Sequence, residues 1–216
     1  MLPEEIEEEY VSKVYDGISK HFDHTRYKPW SGIKSFVESL APYSMMLDVG
    51  CGNGRNLCIK KDVIDFGTDN SMTLCNYAKQ RDRPIFRATA LDLPIRDGVF
   101  DAVICIAVIH HFASVERRKK CLQEISRLLK VGGKAYVTAW ATEQTRKRYD
   151  EQDQLIRWNV HPQYNKEAPK FKRFYHLFIK GEFRELLSDI HELEIVDEKW
   201  IEGNWEIELK KIKLPK

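Results

Sequence analysis

The chain has 216 residues, of which 43% are hydrophobic and 31% charged, enough for one buried core at a length typical of one domain. Its formal net charge of +2 does not announce a nucleic-acid binder, and no apolar run reaches the roughly 18 residues of a membrane span. The five cysteines, Cys51, Cys58, Cys75, Cys105 and Cys121, are scattered and contain no C-x-x-C pair, which argues against a disulfide framework or a zinc knuckle and points to a reducing cytoplasmic or nuclear compartment. The acidic start, Met1-Leu2-Pro3-Glu4-Glu5, is unlike a signal or transit peptide.

In chain order, Ile6, Tyr10, Val14 and Ile18 recur every four residues and predict an amphipathic helix over Glu4–Lys20. A polar and aromatic loop, His21–Trp30, leads to a second helix that ends before Pro42. Short apolar runs then predict five strands: Met45–Val49, Val63–Thr68, Ile85–Ala88, Phe100–Ile106 and Lys134–Trp140. Helices are expected between them at Arg55–Lys60, Met72–Arg81 and Glu116–Leu129, the last stopped by Gly132-Gly133. Strands alternating with helices at this spacing predict an α/β fold, a doubly wound and mostly parallel sheet with ligands at the carboxyl ends of its strands. A helix near Gly181–Ile190 and a hairpin of Leu193–Trp200 with Trp205–Ile212 complete a seven-stranded sheet.

Residues 142–173 fit neither period and contain Pro162 and Pro169. Between 146 and 173 there are eight Lys/Arg against four acids, so the near-neutral total hides a basic insertion. The chain thus divides as one domain into N-terminal helices (1–42), a ligand-binding half (43–141), the insertion (142–180) and a C-terminal helix and hairpin (181–216). Arg117-Arg118-Lys119-Lys120 reads as a solvated helix start, because Leu122 and Ile125 turn the other face inward.

The first strand ends in Asp48-Val49-Gly50-Cys51-Gly52-Asn53-Gly54. Glycines permit positive φ and close approach of a ligand, and a following helix would offer free N–H groups. A dinucleotide dehydrogenase is the competing reading, but the spacing lacks the third glycine of G-x-G-x-x-G at its helix-packing place. Asp69, at the end of the second strand, stands where a carboxylate takes both hydroxyls of an adenosine ribose. Asp48 can meet a cationic amine or organise the loop. Ser71 is the better helix cap.

This pattern resembles the class I S-adenosylmethionine-dependent methyltransferases, as do Asp92-Leu93-Pro94 and Phe100-Asp101. The resemblance implies S-adenosylmethionine held by Asp48, Gly50, Cys51, Gly52, Asn53, Gly54 and Asp69, with Ile106 beside them and no metal. An acid that commonly meets the adenine after the third strand is replaced here by Ala88-Thr89-Ala90, so Thr89, Ala90, Leu91 and Asp92 are the candidates for that contact.

The fourth strand leads into Ile106-Ala107-Val108-Ile109-His110-His111-Phe112, without the Asn/Asp-Pro-Pro-aromatic motif of amino-methylating enzymes. Cys105 lies inside a buried strand and reads as core, not as the nucleophile of a cytosine C5 enzyme. Thr25-Arg26-Tyr27-Lys28-Pro29-Trp30, Ala139–Gln144 and Arg173-Phe174-Tyr175-His176-Leu177-Phe178 with Lys180-Gly181-Glu182 resemble the eukaryotic tRNA methyltransferases that esterify carboxymethyluridine at the anticodon wobble position. That resemblance implies an acceptor carboxylate clamped by Arg26, with His110 and His111 near the methyl group and Tyr27 or Tyr175 as neutral donors. It implies anticodon-loop contacts from Lys28, Trp30, Trp140, Arg146, Lys147, Arg148, Trp158, Lys172, Arg173 and His176, with Tyr164, Phe171 and Phe174 interleaved. It also implies a small zinc-binding activator subunit, placed on the third-strand edge at Ile85 and Phe86. A small-molecule or quinone C-methyltransferase, and a binding module without turnover, are the alternatives.

Overall fold

The computed structural model describes residues 1–159 and 171–213. Tyr164, Pro162 and Pro169, with Lys166, Glu167 and Lys170 of the basic count, lie outside the described residues. Seven strands form one sheet: β1 (Met45–Val49), β2 (Ile64–Asp69), β3 (Ile85–Arg87), β4 (Phe100–Ile106), β5 (Leu129–Trp140), β10 (Leu193–Ile201) and β11 (Asn204–Lys211). Their order is β10-β11-β5-β4-β1-β2-β3. The pairs among β1 to β5 are parallel, and β11 is antiparallel to both β5 and β10. This is the expected doubly wound, mostly parallel sheet, with β3 at one edge.

Two cores follow from the alternation of side chains along a strand. On β4, Val103 and Cys105 enter the core under α5 (Val115–Leu128) and α6 (Glu182–Leu187), which contribute Leu122, Ile125 and Phe183. Ala102, Ile104 and Ile106 face the opposite core under α3 (Ile33–Glu38), with Ile33, Phe36 and Val37. Cys105 is fully buried and its thiol is pushed well up, its neighbour Cys121 and burial being the causes. It is a core residue.

Several boundaries differ from the sequence reading. The N-terminal helix is longer: α1 (Pro3–Glu7), a π-helical turn (Glu8–Ser12) and α2 (Lys13–Thr25) run on, so the loop starts at Arg26. The wider turn rotates one part of the stripe against the other. Val14 and Ile18 pack against Trp158. No helix forms at Arg55–Lys60. Side chains capture the polar groups there: Asn56 Oδ1 accepts the Trp30 N–H at 3.0 Å, and Asp65 Oδ2 accepts the Cys58 N–H at 2.6 Å. The helix expected to stop at Gly132-Gly133 ends at Leu128, and β5 begins at once. The glycines lie where the β4–β5 register jumps from Phe100↔Leu129 to Ala102↔Lys134, a bulge that Gly132 makes with φ +85°.

The insertion is more ordered than its composition suggests. β6 (Glu143–Gln144) pairs with β7 (Lys147–Arg148), and β8 (Asp153–Arg157) pairs with β9 (Lys172–His176), both antiparallel. The basic run at 117–120 is also not simply solvated. Arg118 is buried and donates to the Phe112 carbonyl at 2.8 Å, while Arg117 holds Glu7 through Nε at 2.7 Å and Nη2 at 2.6 Å. α5 thereby clamps the start of the N-terminal helix.

Glu206 of β11 is buried and accepts hydrogen bonds from Tyr136 Oη and, at 3.1 Å, from Trp30 Nε1. It ties the segment before α3 to the sheet. Glu206→Ala leaves both donors without a partner and should lower stability by about 2–6 kcal/mol, at about 1–3 per unsatisfied group. Urea denaturation followed by tryptophan fluorescence checks this.

Candidate active site

At the carboxyl ends of β1, β2 and β4 lies a cavity of about 480 Å³, within the range of small-ligand sites. Its floor is the glycine turn. Gly50 and Gly52 have φ +73° and +57°, and Gly50 and Cys51 donate their N–H groups to the Thr68 carbonyl at 2.7 and 2.8 Å. Asp69, on the next strand, accepts the Gly52 N–H at 2.8 Å on one oxygen and the Ser71 N–H at 2.8 Å on the other. Burial pushes its carboxyl up, while those backbone donors pull it down. Ser71 caps α4 (Met72–Lys79) by accepting the Leu74 N–H, as expected.

Of the residues expected around the cofactor, Gly50, Cys51, Gly52, Asp69, Thr89, Ala90 and Ile106 line the cavity. Asp48, Asn53, Gly54, Leu91 and Asp92 do not. Asp48 is wholly buried beneath the turn, and neither of its oxygens accepts a hydrogen bond among the described residues. Burial pushes its carboxyl up to about 8, against the opposing pull of Arg55 and Asn56. Asn53 is buried outside the lining, donating to Asp23 at 2.8 Å and to the Arg26 carbonyl at 2.9 Å. Asp92 is exposed, with its N–H on the Thr89 carbonyl, so it does not reach the wall.

Of the residues expected around the acceptor, Arg26, Trp30, His110, His111, Trp140, Arg173 and Tyr175 line the same cavity. Along β9, Arg173 and Tyr175 are two residues apart and share the face that looks into it. Tyr175 stacks on His110 and on Trp140, each with ring centroids 4.7 Å apart. Tyr27, Lys28, Arg146, Lys147, Arg148, Trp158, Lys172 and His176 lie outside the lining. Tyr27 is 70% exposed, and Lys28 is exposed beside it. Arg146, Lys147 and Arg148 stand exposed on the β6–β7 turn, whose Gln144 does reach the cavity. Trp158 and Phe174 are buried, and Phe171 packs with Trp158 against α2, so none of these three presents a free ring. His176 is buried between Asp153 Oδ1 at 2.6 Å and Glu182 Oε1 at 2.7 Å.

The two histidines are distinguishable. His110 Nδ1 accepts the Trp140 N–H at 3.0 Å, which places the ring proton on Nε2. His111 Nδ1 faces the Phe174 carbonyl at 2.7 Å and must donate to it, so its Nε2 accepts from Tyr15 Oη at 2.8 Å. Both are neutral: burial lowers His110 well below its usual range and His111 to about 3. Ala107, between β4 and these residues, has φ +59°, and its N–H is held by the Thr138 side chain at 3.0 Å.

Sequence reasoning missed Tyr15, Phe22 and Arg55, which also line the cavity. Arg55 directly follows the glycine turn, a position that could have drawn notice. Tyr15 stands one residue off the apolar stripe, and only the π-helical turn and tertiary packing bring it in. Among the described residues, no group of three His, Cys, Asp or Glu is placed to hold a metal.

The geometry fits S-adenosylmethionine. A Cβ at Gly50 would run into Val108 Cγ2, and one at Gly52 would lie 3.2 Å from Phe22 Cε1, so the turn approaches its neighbours without a side chain in the way. Gly50, Cys51, Gly52 and Asp69 would hold the cofactor, with Thr89 and Ala90 on the adenine side. Sheet order, glycine turn and the acid that ends β2 together define a class I S-adenosylmethionine-dependent methyltransferase domain, and S-adenosylmethionine is its cofactor.

Comparison with known proteins agrees. A family model described as a methyltransferase domain matches residues 47–137. The chain is 37% identical to the tRNA (carboxymethyluridine(34)-5-O)-methyltransferase of Schizosaccharomyces pombe, over 85% of this chain and 89% of that protein. It is 35% identical to the tRNA (carboxymethyluridine(34)-5-O)-methyltransferase alkbh8 of Xenopus tropicalis over 96% of this chain, and spans only 41% of that protein. A solved complex of the Haloferax volcanii Trm112 methyltransferase activator with a methyltransferase shares the fold, with TM-score 0.66 at 16% identity over 94% of this chain and 99% of that one. The chain belongs to the tRNA (carboxymethyluridine(34)-5-O)-methyltransferase family.

Two outcomes follow. Gly50→Ala forces a side chain into the left-handed region and against Val108, so S-adenosylmethionine affinity by calorimetry should fall by about 5- to 30-fold for roughly 1–2 kcal/mol of strain. Below pH 6.5 the unfolded His111 takes a proton that the folded one refuses until about 3, so stability declines on acidification. Its share between pH 7 and pH 5 should be about 2 kcal/mol, and His111→Asn should flatten the pH dependence of the urea midpoint by that amount.

Proposed function

We propose that this chain methylates the carboxylate of a carboxymethyl group on the wobble uridine of tRNA, giving 5-methoxycarbonylmethyluridine. The observation that carries the reading is electrostatic. Arg26, Arg55 and Arg173 line the cavity and, among the described residues, none forms an ion pair with a carboxylate, while the histidines beside them are neutral. The names of the relatives support the same substrate.

When bound, S-adenosylmethionine supplies an electrophilic methyl carbon on a sulfonium, and the acceptor oxygen displaces S-adenosylhomocysteine from it. A carboxylate has a pKa near about 4 and is already ionised, so no base is needed. The chain's own task is to hold the anion and exclude water. Arg26 offers a guanidinium braced 5.6 Å from the Trp158 ring centroid. His110 offers its neutral Nε2–H. Positioning of this kind contributes on the order of 7–11 kcal/mol in the best cases. Half-buried Trp30 and Trp140 offer faces on which an unstacked base can rest, and Arg146, Lys147 and Arg148 at the rim suit anticodon-loop phosphates.

The proposal extends to a partner. β3 pairs with β2 alone among the described strands and carries half-buried Ile85 and Phe86, so a small zinc-binding activator adding a strand there would cover them. The activator in the solved Haloferax volcanii complex supports that part of the reading. A reducing cytoplasmic location suits the buried thiols of Cys51, Cys75, Cys105 and Cys121.

The test is methyl transfer from labelled cofactor to tRNA carrying carboxymethyluridine, with and without the activator. An alkali-labile methyl ester is expected, and label on a ring carbon or nitrogen overturns the reading. Arg26→Ala should reduce kcat/KM by about 10- to 150-fold, the worth of a hydrogen bond to a charged group; full turnover in that variant removes the clamp role from Arg26.

A further inference from the structure

Arg173 is the most deeply placed of the cavity cations, at 8% exposure. Its Nε is shut off from solvent and donates to no partner among the described residues. Among the described residues its Nη1 donates to Tyr15 Oη at 3.3 Å, and the ring of Tyr175 lies beside it. Tyr175 is itself kept neutral, burial pushing its phenol well above the usual range. Three rings enclose the guanidinium, with centroids at 4.5 Å (Trp158), 4.9 Å (Tyr175) and 5.9 Å (Tyr15). A buried cation of this kind is costly until an anion completes it.

Arg26 differs. It is half-exposed, and its carbonyl is tethered to Asn53 of the glycine turn. Solvent screens a half-exposed charge, so it attracts an anion without discriminating sharply against a neutral isostere. A desolvated guanidinium does discriminate, because a carboxamide presents an N–H₂ group where the carboxylate presents a second acceptor oxygen. Arg173 also stands with the histidines at the end of β4, its charge acting on both.

We infer that Arg173 is the residue that reads the charge of the acceptor group, admitting a carboxylate on the flipped base and rejecting its neutral carboxamide. This rests on the proposed function and deepens it: Arg26 captures the anion, and Arg173 decides which acceptor is bound for transfer. The positive charge and three rings are delivered by the β8–β9 hairpin together with α2, outside the sheet that carries the glycine turn. Arg173 is not part of the glycine turn and makes no hydrogen bond to it among the described residues, so S-adenosylhomocysteine affinity is the control that separates charge reading from cofactor binding.

The experiment uses the full chain and two anticodon stem-loop RNAs, one with carboxymethyluridine at the wobble position and one with the carboxamide isostere. Dissociation constants are measured in the presence of S-adenosylhomocysteine, and methyl transfer is measured on the carboxylate RNA. The natural chain should prefer the carboxylate RNA by about 10- to 150-fold. Arg173→Gln should reduce that ratio to about threefold or less, Arg173→Lys should restore part of it, and S-adenosylhomocysteine affinity should stay within about twofold in both. An unchanged ratio in Arg173→Gln overturns the inference, as does a parallel loss of S-adenosylhomocysteine affinity, which would make Arg173 a cofactor ligand. Loss of thermal stability in Arg173→Gln together with no recovery of the ratio in Arg173→Lys also counts against it. If the natural chain shows the binding preference but forms no methyl ester, the proposed reaction fails while the charge-reading role stands.

Discussion

The site depends on how closely two strand ends approach. β1 and β4 are neighbours in the sheet, with Asp48 opposite Ile104, so the chain leaving one must pass the chain leaving the other. Gly50 turns out of β1 with φ +73° directly against the Val108 side chain that follows β4. A single methyl group at that point would drive the two apart. The turn is then fastened from its other side by the Thr68 carbonyl and the Asp69 carboxylate of β2. Cavity depth, the height of Asp69 and the place where His110 and His111 enter all follow from that contact.

Burial settles the electrostatics of the chamber so formed. Its histidines cannot keep a proton in a desolvated setting, and the backbone gives them opposite tautomers: Trp140 donates to one ring and Phe174 accepts from the other. The rings therefore act as neutral hydrogen-bonding groups of defined polarity. The charge comes from arginines, which stay protonated where a histidine would not. Positive charge on this wall suits an acceptor that arrives already ionised.

Closure of the chamber is a long-range affair. The N-terminal helix crosses the opening, held at one end by Glu7 on Arg117 and at the other by Val14 and Ile18 on Trp158. The π-helical turn between those anchors lets one helix serve both while aiming Tyr15 at His111. The β8–β9 hairpin faces it with Arg173 and Tyr175. Residues from opposite ends of the chain thus share one wall, and the interaction of Glu206 with Trp30 and Tyr136 locks that arrangement to the sheet.

The amino-acid sequence by itself determined what depends on neighbours a few residues away. The bounds of β1 and β4, the cap at Ser71, the C-terminal hairpin, the glycine turn and Asp69 are all carried by local periodicity or by a residue with one conformational use. Tertiary structure decided which side chains enter the chamber. Arg55–Lys60 contains ordinary helix formers, yet Asp65 takes the Cys58 N–H and Asn56 accepts that of distant Trp30. Residues 142–173 show no period because β8 and β9 pair across a long separation, and that pairing sets which alternate residues face inward. Trp158 and His176 look from the sequence like exposed RNA contacts, but an arginine pair and two carboxylates hold them in the interior. Side-chain direction in such a segment is set by its distant partner, and no local pattern contains that partner.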